Sequence, residues 1–172
     1  VQTMPKRRIL IADAGFMYAA KMSGQSESYD FFTPDAGELA FLADELAPHP
    51  FYTRGFILHP NAKVPDLIKQ AYQHQNAARY LLVKGKSDYI VHATQVIEKV
   101  DYPSFDSMEA IGGTGDTMAG VLSVLCSADF NLTDAAILAA RVNRWTGHYA
   151  DPTPATQVAE LIDKIPQALV KV

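Results

Sequence analysis

The run Gly112-Gly113-Thr114-Gly115-Asp116-Thr117 stands directly before a stretch, Thr117 to Leu125, that is almost wholly apolar or small. Such a stretch reads as a helix buried on most sides, which puts the glycines at its amino end. Glycine lets the backbone turn its N–H groups toward one point and approach a ligand closely, and a helix amino terminus adds about half a positive charge. Together they make an anion site. A carboxylate beside a bound anion costs electrostatic energy unless it handles a proton, so Asp116 is a candidate to accept the proton of an attacking hydroxyl. A structural alternative stands beside it: Asp116 caps the helix and the glycines make a tight turn.

The rest of the chain sets bounds on what surrounds that loop. Its 172 residues are 48% hydrophobic and 20% charged, enough for one packed core, and neither repeats nor a low-complexity linker divide residues 1–172. Lys and Arg number 15 against 19 Asp and Glu, so a nucleic-acid binder working through a basic excess is excluded. The single cysteine, Cys126, can form neither an internal disulfide nor a thiolate cage, and reads as a small buried core residue. No apolar stretch approaches the ~20 residues a bilayer requires, so a soluble cytoplasmic protein is expected.

Strand and helix signals alternate. Arg8 to Ala12 reads as a buried strand ending at Asp13, and Phe31-Phe32 as a second, stopped by Thr33-Pro34 and followed by a helix over Glu38 to Leu46. Pro65 to Gln75 has helical spacing, Tyr80 to Val83 is a third buried strand ending at Lys84-Gly85, and Tyr89 to His92 with Val96 to Val100 resembles a hairpin around Ala93-Thr94. After Thr117 to Leu125, a helix capped by Thr133 runs to about Tyr149 and another is capped by Thr156. The pattern predicts an α/β layered fold with a mainly parallel sheet, whose ligands bind at the carboxyl ends of strands. Asp13, the Thr33 to Glu38 turn and Lys84-Gly85 all occupy such ends.

These motifs, in this order, resemble the ribokinase-like superfamily and especially its ADP- or ATP-dependent NAD(P)H-hydrate dehydratase branch. The resemblance rests on Ile11-Ala12-Asp13-Ala14, Thr33-Pro34-Asp35-Ala36-Gly37-Glu38, Leu82-Val83-Lys84-Gly85 and Gly112-Gly113-Thr114-Gly115-Asp116-Thr117. It implies a three-layer ribokinase-like fold in which Asp116 is the general base of phosphoryl transfer. Nucleotide phosphates would fall to Gly112, Gly113, Thr114 and Gly115, and the segment Lys84, Gly85, Lys86, Ser87, Asp88 would bind the nucleotide, ATP or ADP. Substrate would meet Asp13, Asp35 and Asp116. In that branch the 6-hydroxyl of a hydrated nicotinamide ring is phosphorylated, and phosphate then leaves.

One position departs from the branch: Asp35 stands where its pattern has histidine, which touches the contact to the dinucleotide. Related kinases have Asn-x-x-Glu, whose glutamate helps to hold magnesium, and Asp35 with Glu38 could do the same through water. Asp35 as a helix N-cap is the alternative. The family also carries further βα units and substrate contacts ahead of the strand that ends at Asp13. The chain is therefore expected to be a fold truncated at its N-terminus, with Val1-Gln2-Thr3-Met4 at the truncation point. A sheet lacking those strands exposes an apolar edge, to be covered by another copy or another chain.

The remaining residues with chemical capacity read more simply. His49, His59, His74, His92 and His148 show no zinc-like spacing and are taken as surface or polar-packing residues. Trp145 with Arg141 and Arg144 is read as packing of the helix against the sheet rather than a base-stacking surface, and Phe51-Tyr52 with Arg54 and Phe56 as cover for an edge or an interface. Two functions stay open: a nucleotide-dependent dehydratase or small-molecule kinase using Asp116, or a nucleotide-binding or structural relative that has lost the substrate half.

Overall fold

The computed structural model describes residues 8–47 and 63–172. His49, His59 and the Phe51, Tyr52, Arg54, Phe56 group lie outside the described residues, as does Val1-Gln2-Thr3-Met4. In chain order the elements are β1 (Ile11–Ala12), α1 (Ala14–Met22), β2 (Phe31–Phe32), α2 (Ala36–Ala43), α3 (Val64–Gln73), β3 (Tyr80–Val83), β4 (Asp88–His92) and β5 (Gln95–Val100). The helices α4 (Thr114–Ser127), α5 (Leu132–Ala150), α6 (Val158–Ile162) and α7 (Ile165–Lys171) follow.

The strands form one five-stranded sheet in the order β1-β2-β3-β4-β5. Parallel pairing sets Ile11 opposite Phe31 and Phe31 opposite Tyr80, while β3, β4 and β5 pair antiparallel. The expectation of a mainly parallel sheet thus holds for β1 to β3 and gives way at the hairpin. Its turn is Ala93-Thr94, both at positive φ (47° and 75°), which suits the twist of two strands joined by two residues.

Alternation across the pleat builds a core on each face of the sheet. Ala12, Phe32, Leu81, Val83 and Val91 pack with Met17, Leu39, Leu42, Ile68 and Ala71 on the side of α1, α2 and α3. Phe31, Tyr80, Leu82, Ile90 and Val100 pack with Met118, Leu122, Ala136 and Ala140 on the side of α4 and α5. Phe31 and Phe32 are both fully buried, so each side chain contributes about 1.5–3 kcal/mol. These are three layers, helix on sheet on helix.

Several boundaries move for local reasons. The helix expected over Glu38 to Leu46 begins two residues earlier and ends at Ala43, because Asp35 caps it. Thr133 does not cap α5; Asn131 does, and Thr133 supplies the N–H that its side chain accepts at 2.9 Å. Thr156 likewise gives way to Gln157 as the cap of α6, its hydroxyl accepting from Thr153 N at 3.0 Å. Only Ile11–Ala12 of the Arg8 to Ala12 run joins the ladder. Helix α1 was not expected, although its limits are marked: Asp13 accepts from Ala14 N at 3.0 Å and Ser23-Gly24 ends it. Among the described residues no helix is long and apolar enough to cross a membrane, and Cys126 is buried as expected.

Candidate active site

The carboxyl ends of β1, β2 and β3 face the amino end of α4 across a cleft of about 830 Å³. Asp13, Asp35, Glu38, Lys84, Gly85, Lys86, Asp88, Thr114, Gly115 and Asp116 all line it, so residues from four separated segments meet there. Ser87, Gly112 and Gly113 are not among the lining residues.

The amino end of α4 is open. Gly113 is the N-cap at φ 97°, with no side-chain cap bond, and the first helical bond runs from Thr117 N to Gly113 O at 3.0 Å. The N–H groups of Thr114, Gly115 and Asp116 precede that bond and are the ones a helix leaves without an internal acceptor. A Cβ at Gly113 would lie 3.0 Å from Val158 Cγ2, so both the backbone angle and the packing of α6 require glycine there. Asp116 sits in the first turn, exposed, and accepts no hydrogen bond from a described residue. It is therefore not the cap of α4. Thr114 turns its hydroxyl back onto Met108 O and Ile111 O, at 3.3 and 3.2 Å, and Thr117 donates to Asn143 Oδ1 at 3.0 Å.

The opposite wall is closed upon itself. Asp35 is the N-cap of α2: its carboxylate accepts from Glu38 N at 2.7 Å while Glu38 Oε2 accepts from Asp35 N at 2.8 Å. Tyr18 donates to Glu38 Oε1 at 3.3 Å. Burial pushes the Glu38 carboxyl above its ordinary value, with the hydrogen bond from Asp35 N and the charge of Lys84 opposing and the charges of Asp35 and Asp13 adding. Tyr18 is raised by burial and by Glu38. These oxygens suit a hard cation, yet no group of three or more ligating side chains exists among the described residues. The set fits magnesium held through waters and shared with a ligand rather than a cage made by protein.

Between the walls, Lys84 Nζ lies 2.8 Å from Asp13 Oδ1. Behind it the turn after β3 is fastened by Arg144, which donates to Asp88 Oδ2 at 2.7 Å, Gly85 O at 3.0 Å, Lys86 O at 3.1 Å and Pro103 O at 3.2 Å. Asp88 is 2% exposed and also accepts from Gly85 N at 3.1 Å. Burial raises its carboxyl while Arg144 pulls it down. Asp88 therefore has both oxygens engaged by protein and shapes the turn that Lys84 and Lys86 flank.

Sequence reasoning missed this clamp, because residues 56 positions apart carry no local signal. It also missed Tyr18, Asn143 and the turn Asp106–Ala110, which contributes Asp106, Met108 and Glu109 to the lining. One trace existed: Gly147 inside a long helix, where any Cβ would run into Met108 Sδ. Trp145 has its ring neighbours in Tyr102, His148, Tyr149 and Lys171, none of them in the sheet, while Arg144 beside it lines the cleft. His74 Nδ1 donates to Ala43 O at 2.8 Å, and His92 stacks on Tyr80.

Comparison with known proteins gives the class of fold first. A ribokinase from Thermotoga maritima aligns with a TM-score of 0.52 at 16% identity over 98% of this chain and 50% of that one, so the fold is ribokinase-like. An uncharacterized protein of Methanocaldococcus jannaschii is 45% identical over 161 residues, 93% of this chain and 69% of that protein. The bifunctional NAD(P)H-hydrate repair enzyme of Hyperthermus butylicus is 31% identical over 105 residues, 59% of this chain and 19% of that protein. The profile of the carbohydrate-kinase-related NAD(P)H-hydrate dehydratase family matches residues 2–167, and the chain belongs to that family. It spans about half the length of the ribokinase and about a fifth of the repair enzyme.

Proposed function

We propose that the chain transfers a phosphoryl group from ATP or ADP to a substrate hydroxyl, acting as a NAD(P)H-hydrate dehydratase-like or small-molecule kinase-like enzyme. The observation that carries this is the open amino end of α4, where uncapped N–H groups and Lys84 line one cleft with Asp116, whose carboxylate has no partner among the described residues. Asp116 takes the hydroxyl proton as the oxygen–phosphorus bond forms and the bond to the departing nucleotide breaks. The N–H groups of Thr114 and Gly115, with Lys84, hold the charge on the transferred group. On a hydrated nicotinamide the phosphorylated oxygen then leaves its ring carbon, the adjacent carbon gives up a proton, and that electron pair forms the ring double bond. Magnesium bound with the nucleotide would neutralise phosphate charge, held through water by Asp35 and Glu38.

Substrate lies against Asp13, Asp35 and Asp116 in this reading. Support for a cover comes from β1, which ends the sheet among the described residues, with Ile9 and Leu10 beside it exposed at 38% and 45%, and Phe16 of α1 at 73%. Another copy or another chain covers that edge, and light scattering giving a monomer that still turns over would refute it. The buried lone Cys126 accords with a reducing cytoplasm.

The activity test incubates the chain with magnesium, ATP or ADP, and hydrated NADH, following recovery of NADH absorbance beside Asp116→Ala. Recovery lost in the variant is the expected result. Nucleotide binding without any recovery would favour the other function, a nucleotide-binding or structural relative.

A further inference from the structure

Lys84 leaves β3 with only 14% of its side chain exposed, and its partner Asp13 is 19% exposed. The lysine arm lies along the first turn of α4: a Cβ on Gly115 would stand 3.0 Å from Nζ and 3.4 Å from both Cδ and Cε. This is an unfavourable place for an isolated cation, because the amino end of a helix is itself positive. A flexible four-carbon side chain left alone there would gain entropy and hydration by swinging into solvent. The carboxylate 2.8 Å away opposes that swing.

Asp13 is in turn held by its backbone setting. The oxygen that accepts from Lys84, Oδ1, also accepts from Ala14 N at 3.0 Å and caps α1. Ala14, the next residue, has φ 44°, a left-handed conformation that is costly for a residue with a Cβ and that persists where surroundings enforce it. A cap, a largely buried ion pair and a strained backbone therefore coincide at one strand end that lines the cleft. An ammonium group has three donors, so one bond to Asp13 leaves two for oxygens of a ligand at α4.

We propose that Asp13 is a positioning residue that acts through Lys84, holding its ammonium across Gly115 so that it meets a phosphate at the amino end of α4. This rests on the reading of that end as the nucleotide phosphate site. It departs from an Asp13 that merely touches substrate, and it makes a prediction opposite to that of charge alone. By charge, removing a carboxylate beside an anion site should tighten anion binding; by positioning, it should loosen it.

The test is calorimetric titration of the full chain with ADP and with ATP, each with magnesium, using wild type, Asp13→Ser, Lys84→Met and the double variant. Serine keeps an oxygen for the α1 cap. Asp13→Ser is expected to weaken nucleotide binding about fivefold or more, and to have no effect once Lys84 is methionine. A second variant, Gly115→Ala, pushes on Lys84 without touching the cap, and should weaken binding only where Lys84 is present. A general loss of structure would lower the thermal midpoint in both backgrounds, but would not cancel in the binding cycle. Binding by Asp13→Ser equal to or tighter than wild type, or losses that add in full on Lys84→Met, overturns the positioning role and leaves the nucleotide site standing. Failure of wild type to bind either nucleotide overturns both.

Discussion

Among the helices whose amino ends line the cleft, α2 and α4 finish in opposite ways. The end of α2 is sealed: Asp35 and Glu38 exchange backbone bonds at 2.7 and 2.8 Å. The end of α4 is left unsealed by Gly113, and its first-turn carboxylate, Asp116, has no described partner. In helix α2 the N–H of Glu38 and that of the cap residue Asp35 are satisfied from within, so its dipole is partly answered by its own carboxylates. Helix α4 keeps its donors for something that arrives. The contrast separates a wall that is built for structure and carries negative charge from a wall built to receive it.

The sharpest way to break that contrast is at Asp116. If its carboxylate is a base rather than a helix-terminal charge, Asp116→Asn lowers turnover about 10²- to 10⁴-fold while nucleotide affinity changes little. Calorimetry and initial rates on one preparation separate the two quantities, and a parallel loss of both would return Asp116 to a binding role. Next in size is Gly113→Ala. A Cβ at φ 97°, 3.0 Å from Val158 Cγ2, should cost roughly 1–3 kcal/mol, read as a fall in the thermal midpoint. An unchanged midpoint would mean that the open cap is not fixed by the glycine.

The same contrast explains how much of the molecule could be read from residues in order. Gly112 to Thr117 marks a helix amino end but leaves open whether Asp116 caps it, and β3 is legible from Tyr80-Leu81-Leu82-Val83 alone, since a strand buried on both faces must be a continuous apolar run. Local choices were less legible. Asp35 had both a capping and a metal-holding reading, and the capping box appears only once Glu38 is seen to fold back. Thr133 and Thr156 are good capping residues displaced by Asn131 and Gln157 nearby. The clamp of Arg144 on Asp88 and the contact of Lys84 with Asp13 join residues far apart in sequence, and only the packing of α5 on β4 and β5 and the placing of β1 and β3 on either side of β2 bring them together. Long-range ion pairs carry no periodicity, so no pattern along the chain announces them.

At the sealed end the expected effects are smaller. Asp35→Ala removes one half of the capping box and should cost about 1 kcal/mol of stability, measured by urea unfolding. Nucleotide binding without magnesium should be unaffected, because Asp35 belongs to the other wall. A loss of magnesium-free binding on this substitution would join the two walls into one site and weaken the distinction drawn between them.

The smallest effect concerns the pH dependence of that wall. Burial raises the Glu38 carboxyl above 4.5, its ordinary value, so between that value and the raised one the native chain holds more proton than the unfolded chain. Stability from this group is complete below the ordinary value and is lost as pH rises through the raised one. Glu38→Gln keeps an oxygen able to accept from Asp35 N, since glutamine also serves in a capping box, but has no charge to bury. The variant should therefore gain on wild type as pH rises from the carboxylate range toward neutrality, with Asp88 titrating alike in both. Urea unfolding of the pair across that range measures the difference. Parallel curves would mean that Glu38 stays charged in the folded chain at no cost, and that Lys84 and the α2 amino end already answer its charge in full.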